Sequence, residues 1–161
     1  KRLGPFGKMK PPLQTKENQD FLWKNLKYID VIESDHAPHT KDEKELANPP
    51  SGVPGLETTL PLLLTAMSKG RITKEEIIDK CHTKPKEIFH LPTQPDTRIE
   101  IDLDKSYLIK NENLFTKCGW SPFDGWKVKG KIERVFIRGK KVFENGKILA
   151  KIGTGKIIKS T

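Results

Sequence analysis

Residues 28–40 read YIDVIESDHAPHT, and the fold turns on that stretch. Its first half is rich in β-forming side chains, with Ile29, Val31 and Ile32 in close succession, which predicts a short buried strand over 28–33. Its second half carries a proline and several polar groups, which predicts a turn. Upstream, Thr15 with Asn18 and Gln19 can open a helix. Phe21, Leu22 and Leu26 then recur at helical spacing, predicting helix over about 16–27. A helix thus leads into a strand, and the strand ends at Asp35, His36 and His39. Catalytic groups of α/β barrels sit at the C-terminal ends of their strands. The same string could also be an ordinary turn.

Outward from this stretch, residues 4–12 (GPFGKMKPP) and 48–55 (NPPSGVPG) are irregular loops, because proline fixes φ and lacks a donor. Residues 57–69 predict an amphipathic helix stopped at Gly70, with Pro61 early enough to be tolerated. Thr73 with Glu76 is a capping-box pattern opening a helix to about Cys81, and a short helix follows Pro85. From Leu91 the texture changes: Pro92 and Pro95 mark a linker, and β-like runs follow at 98–103, 128–131, 133–138 and 140–144. Hairpin turns are expected at Arg138–Gly139 and Asn145–Gly146. The expected division is an α/β unit over 1–92 and a mostly β segment over 93–161.

The 161 residues are too few for a whole eight-stranded α/β barrel, which needs roughly 200 or more. Hydrophobic residues make up 34% and charged residues 32%, a balance that still leaves recurrent apolar clusters for a core. Abundant lysine and glutamate fit a highly charged, thermophile-like surface. The formal charge of +9 invites a nucleic-acid or membrane reading. Lysines are spread along the chain with acids interleaved, however, which favours a solvated surface over a basic patch. Cys81 and Cys118 have no CxxC spacing, so buried thiols in a reducing compartment are expected. No signal peptide or membrane span is legible, and the expected location is the cytoplasm.

The chemistry concentrates at SDHAPHTKDEK, residues 34–44. A carboxylate such as Asp35 can bind a metal and exchange protons with water, and an imidazole on the same turn can donate to a substrate carboxylate. An isolated DxxxH is weak evidence, since such residues are more often caps or surface histidines.

The longer string carries more. DHAPH, residues 35–39, is similar to the DxAPH signature of dihydroorotases, which is followed by lysine, as in Lys41 and Lys44. GVPGLETTLPLLLT (52–65) resembles the loop and helix that come next in that family. MKPPLQT (9–15) resembles its NPPLR segment, TKPKEIF (83–89) its NPAKIF segment, and residues 121–146 its C-terminal β segment. The matches fall in family order along nearly the whole chain.

The resemblance implies an α/β fold: the C-terminal part of a (β/α)8 barrel, with its last strand and flanking helices, plus a small β-rich composite domain. It implies a metal-dependent cyclic amidohydrolase that interconverts dihydroorotate and N-carbamoyl-aspartate in pyrimidine biosynthesis. Asp35 matches the metal-ligating aspartate and general acid/base, and His39 the histidine that holds the substrate carboxylate. Ser51 and Gly52 fall in the loop that touches substrate through its backbone. Lys10 stands where the family has a substrate-binding asparagine. A lysine has no acceptor and cannot copy an amide, but can pair with an anionic substrate group. His36 is expected nearby without being a ligand.

The implied cofactor is one or two zinc ions, with most ligands outside this chain. One aspartate cannot hold a catalytic zinc, which takes three or more protein ligands. The implied partners are the small-molecule substrate, the N-terminal part of the same protein and aspartate transcarbamoylase, with no nucleic acid and no membrane. The sequence is accordingly read as a fragment, expected to be inactive alone. Three alternatives stay open: an allantoinase or hydantoinase, a non-catalytic dihydroorotase-like scaffold for aspartate transcarbamoylase, and, on charge alone, a nucleic-acid-binding module.

Overall fold

The computed structural model describes residues 3–159. Five short helices precede a four-stranded antiparallel sheet. The helices are α1 Lys16–Lys24, α2 Lys41–Lys44, α3 Thr59–Ser68, α4 Lys74–Ile78 and α5 Lys84–Ile88. The strands β1 Arg98–Leu108, β2 Lys127–Ile137, β3 Lys140–Glu144 and β4 Lys147–Ile148 follow one another in space as in sequence.

Capping chemistry sets the helix starts. The Thr15 hydroxyl accepts from the Asn18 amide at the head of α1. Thr40 with Glu43, and Thr73 with Glu76, form reciprocal capping boxes at α2 and α4. α1 ends earlier than its apolar spacing predicts, because the Asn25 amide side chain donates to the Phe21 carbonyl and a 3-10 turn, Leu26–Tyr28, follows. After α4 the chain widens into a π turn, Asp79–Thr83, and runs on into α5 with Pro85 in its first turn.

α3 carries the core. Leu63, Leu64 and Ala66 are buried with Leu26, Ile72 and Ile77, and Trp23, Ile29, Ile32 and Ile101 pack around them. Each such leucine contributes about 2 kcal/mol of transfer free energy. α3 also lies against β2, where Gly130 has φ +90° and an added Cβ would stand 2.7 Å from Leu64 Cδ1. At the same contact the Lys129 amide donates to Thr65 Oγ1 at 2.9 Å.

β2 is one continuous strand where the sequence suggested two runs. β1 runs on past Leu103, because Asp102 absorbs an irregularity in the pairing by accepting from the amides of Asp104 and Lys105. Both predicted hairpin turns form with φ positive at each central residue: Arg138 and Gly139, Asn145 and Gly146. These are type I′ geometries, whose twist matches the strands they join.

The strand expected at 28–33 does not form. The amides of Tyr28 and Ile29 close the preceding 3-10 turn, and the one long-range amide bond runs from Ile32 to the Lys80 carbonyl at 3.1 Å. A β-rich sequence becomes a strand only beside a hydrogen-bonding neighbour, and none is present among the described residues. The thiols also depart from expectation, with Cys81 exposed and Cys118 half-buried. Burial of part of its surface raises the Cys81 pKa above the ordinary thiol value.

Candidate functional site

The segment after Ile32 is shaped by side chains in place of a ladder. The buried Lys80 donates from Nζ to the Ile29 carbonyl at 2.7 Å, fixing its start. Asp35 adopts the left-handed region, φ +42°, which aspartate tolerates better than most residues. Its amide donates to Glu33 Oε2 at 2.5 Å. Beyond it, the Ala37 amide donates to the Val53 carbonyl at 3.1 Å and joins DHAPH to the proline-rich loop.

Two glycines make that junction close. Gly52 has φ +125°, and a Cβ there would stand 2.7 Å from both Cβ and the carbonyl oxygen of Ala37. At Gly55 it would stand 2.7 Å from the Ser34 carbonyl oxygen. His36 completes the seam: its Nδ1 accepts from the amides of Gly55 at 3.1 Å and Leu56 at 3.2 Å.

Lys44 lies beneath the loop with 0% exposure. Its Nζ donates to the carbonyls of Pro50 at 2.9 Å, Gly52 at 3.1 Å and Lys8 at 3.3 Å. Burial, then the nearby Lys8 charge, draws its pKa below the ordinary lysine value, while three carbonyl dipoles favour the charged form. Trp120, 3% exposed, faces the ammonium with its ring centroid 5.9 Å away, and its Nε1 donates to the His39 carbonyl at 2.7 Å. On the far side of the loop, Glu57 accepts from the amides of Phe115 and Thr116, both at 2.8 Å. The β-rich half of the chain is thereby fastened to the loop from two directions.

No hydrogen bond joins the side chains of the expected site residues to one another among the described residues. Asp35 is exposed. His39 has a side chain 28% exposed, with Nδ1 3.7 Å from Glu43 Oε2. Lys10 is exposed, two residues from the Lys8 carbonyl that accepts from both Lys44 and the Gly52 amide. A cavity of about 270 Å³ lies beside the segment leading to Asp35, lined by Glu33, Ser34, Val53, Gly55, Thr58 and Leu63 among others, and Asp35 lies outside it.

Gly52 has no amide to spare, because its N–H donates to the Lys8 carbonyl at 3.0 Å and its own carbonyl accepts from Lys44. Among the described residues the Ser51 backbone makes no such bond. Of the residues that organise the loop, Lys44 and Glu57 fall within the matching stretches, and Trp120 stands just before the one over 121–146. No spacing rule marks them, since each acts on backbone atoms remote in sequence.

Among the described residues no group of three or more His, Cys, Asp or Glu side chains converges on a point that could hold a metal ion. Asp35 by itself offers one carboxylate, short of the donor set a catalytic zinc requires. These residues alone do not fit the metal. Also among the described residues, no helix is long and apolar enough to cross a membrane.

No protein-family model matches the chain. It is 50% identical over 152 residues to the multifunctional protein pyr1-3 of Dictyostelium discoideum, a match covering 94% of this chain and 7% of that protein. It is 42% identical over 162 residues to the dihydroorotase of Pyrococcus furiosus, covering 96% of this chain and 38% of the relative. The chain is a homologue of the dihydroorotases. The L-hydantoinase (dihydropyrimidinase) of Arthrobacter aurescens superposes with a TM-score of 0.92 at 30% identity, over 96% of this chain and 38% of the hydantoinase. The architecture is therefore shared with cyclic amidohydrolases, and the chain spans little more than a third of the dihydroorotase it matches.

Proposed function

We propose that the chain is the C-terminal portion of a dihydroorotase, acting with an N-terminal portion of the same protein to hydrolyse dihydroorotate reversibly to N-carbamoyl-aspartate. The observation that carries this reading is the Ala37–Val53 junction, which lays DHAPH against the loop of Ser51 and Gly52 in a chain homologous to dihydroorotases. Within the reading, residues 1–92 complete a (β/α)8 barrel, residues 28–33 take their place as its last strand beside neighbours supplied by the rest of the protein, and 93–161 form a β-rich composite domain. The exposed Asp35 is then covered in the assembled site.

Each residue has a role in ring opening. Water adds across the ring C–N bond, its hydroxyl joining the carbonyl carbon and its proton reaching the ring nitrogen through the Asp35 carboxylate. His39 donates a hydrogen bond to the substrate carboxylate. The Ser51 backbone contacts substrate, while Gly52 shapes the loop. Lys10 pairs with an anionic substrate group. Zinc is the proposed cofactor, with its remaining ligands outside these residues. The cytoplasm is the proposed location, and aspartate transcarbamoylase a proposed partner.

The test is turnover of dihydroorotate, hydantoin and allantoin by the full-length protein. Dihydroorotate is expected to be preferred, and Asp35→Asn to lower kcat by about 10²- to 10⁴-fold. Undiminished turnover by Asp35→Asn would overturn the assignment. A full-length protein inactive on all three substrates would favour the scaffold reading.

A further inference from the structure

A cation buried without a carboxylate partner is costly and rare, so its surroundings show what retains it. Among the described residues Lys44 makes no salt bridge. All three of its N–H donors are spent on main-chain carbonyls from two separate loops, one at Lys8 and one spanning Pro50 to Gly52. The ammonium thus occupies the place a bound monovalent ion would take in a ring of carbonyl oxygens. Trp120 covers it and, through the His39 carbonyl, ties it to the DHAPH turn.

The peptide geometry gives this arrangement a consequence. The Pro50–Ser51 bond is trans and planar, so its carbonyl and its N–H point in opposite directions. A Pro50 carbonyl fixed on Lys44 turns the Ser51 N–H away from the ammonium. The flanking Gly52 carbonyl is fixed on the same atom, so the residue between them is held at both ends.

We propose that Lys44 is the positioning residue of the substrate loop: its buried ammonium gathers the carbonyls of Lys8, Pro50 and Gly52 and so aims the Ser51 N–H at an anionic oxygen of the substrate. The inference rests on the dihydroorotase reading for the identity of that substrate. The clamp itself rests on the geometry alone.

The experiment compares full-length wild-type protein with Lys44→Met and Lys44→Arg. Hydrogen exchange is followed at residues 49–54 alongside steady-state kinetics with dihydroorotate. Lys44→Met keeps the stem and removes the donors. It is expected to speed exchange in the loop and raise KM about tenfold or more, with kcat within about threefold, since the lost contact serves binding more than chemistry. Lys44→Arg keeps a cation but displaces the carbonyls with a larger head, and is expected to raise KM less, in the same direction. If Lys44→Met does not fold, Lys44→Arg decides. Unchanged KM in a folded variant, or a fall in kcat equal to the fall in kcat/KM, overturns the positioning role. Wild-type protein with no turnover of dihydroorotate overturns the functional reading instead, and unchanged loop exchange in Lys44→Met would then overturn the clamp as well.

Discussion

Residues 29–55 and the meander β1–β4 both contain β-forming sequence, yet they solve the backbone hydrogen-bonding problem in different ways. The meander pairs each strand with its sequence neighbour, and two type I′ turns fix the register of its later strands. The stretch after Tyr28 has the composition of a strand but pairs with nothing along a ladder. Its polar groups are met one at a time by Lys80, Glu33, Val53 and, through the adjoining loop, by His36 and Lys44. Local pairing needs only alternation and a turn. Long-range pairing needs specific side chains and close-approach glycines, and a single substitution there has no neighbouring ladder bonds to share its cost.

The largest effect expected from this contrast is at Gly52. In Gly52→Val the new side chain meets Ala37 backbone at a φ that L-residues avoid, at a cost of about 3 kcal/mol. Gly139 makes the control, because its added Cβ meets nothing nearer than 3.8 Å. Gly139→Ala should cost about 1 kcal/mol, from φ alone. Equal losses in chemical denaturation would erase the distinction between the two regions.

Next in size is Lys80→Met, which leaves the Ile29 carbonyl without its donor. About 2 kcal/mol of stability should go with it, as for other buried groups left unpaired. Accelerated amide exchange should be confined to residues near 29–32. Exchange speeding up equally in β1–β4 would mean that the two regions unfold as one.

The smallest effect belongs to the meander's surface. Arg134 bridges Glu100 at 2.8 Å and Glu144 at 3.0 Å. Glu100 is held below its ordinary 4.5 chiefly by Arg134, and Glu144 by Lys141 and then Arg134. Carboxylates with lowered folded pKa values stabilise the fold above about 4.5, and that contribution fades as acid takes the pH through the folded values. Arg134→Met should therefore lower Tm slightly above about pH 4.5, since such exposed pairs contribute weakly. The gap to wild type should close as acid protonates both carboxylates, so that the variant's Tm falls less steeply. A Tm that drops as steeply in acid as wild type would remove the pair from the account.

The elements legible in advance were those with local causes. Thr73 with Glu76, the end of α3 near Gly70, and Asn145–Gly146 each act within a few residues, and the structure bears them out. The α/β character and the antiparallel β segment follow from the same signals. What misled was the stretch 28–33, whose composition is local but whose pairing is not. At the candidate site, the sequence marks Asp35 and His39 by spacing and resemblance. It does not show that Gly52 spends its N–H on Lys8, which leaves Ser51 the freer amide. Nor does it mark Lys44 as buried, because a lysine in a charged run reads as solvated surface.

The sequence by itself determined the helix caps, the hairpin turns and the order of motifs that marks this chain as a homologue of dihydroorotases. Each of these depends on neighbours within a turn or on residue identity alone. Tertiary structure decided which backbone groups are met across dozens of residues: Trp120 with His39, Glu57 with Phe115 and Thr116, and Lys44 with Lys8. Such pairings depend on where the chain returns in space, and the free energy of an unpaired buried donor or carbonyl selects among the returns.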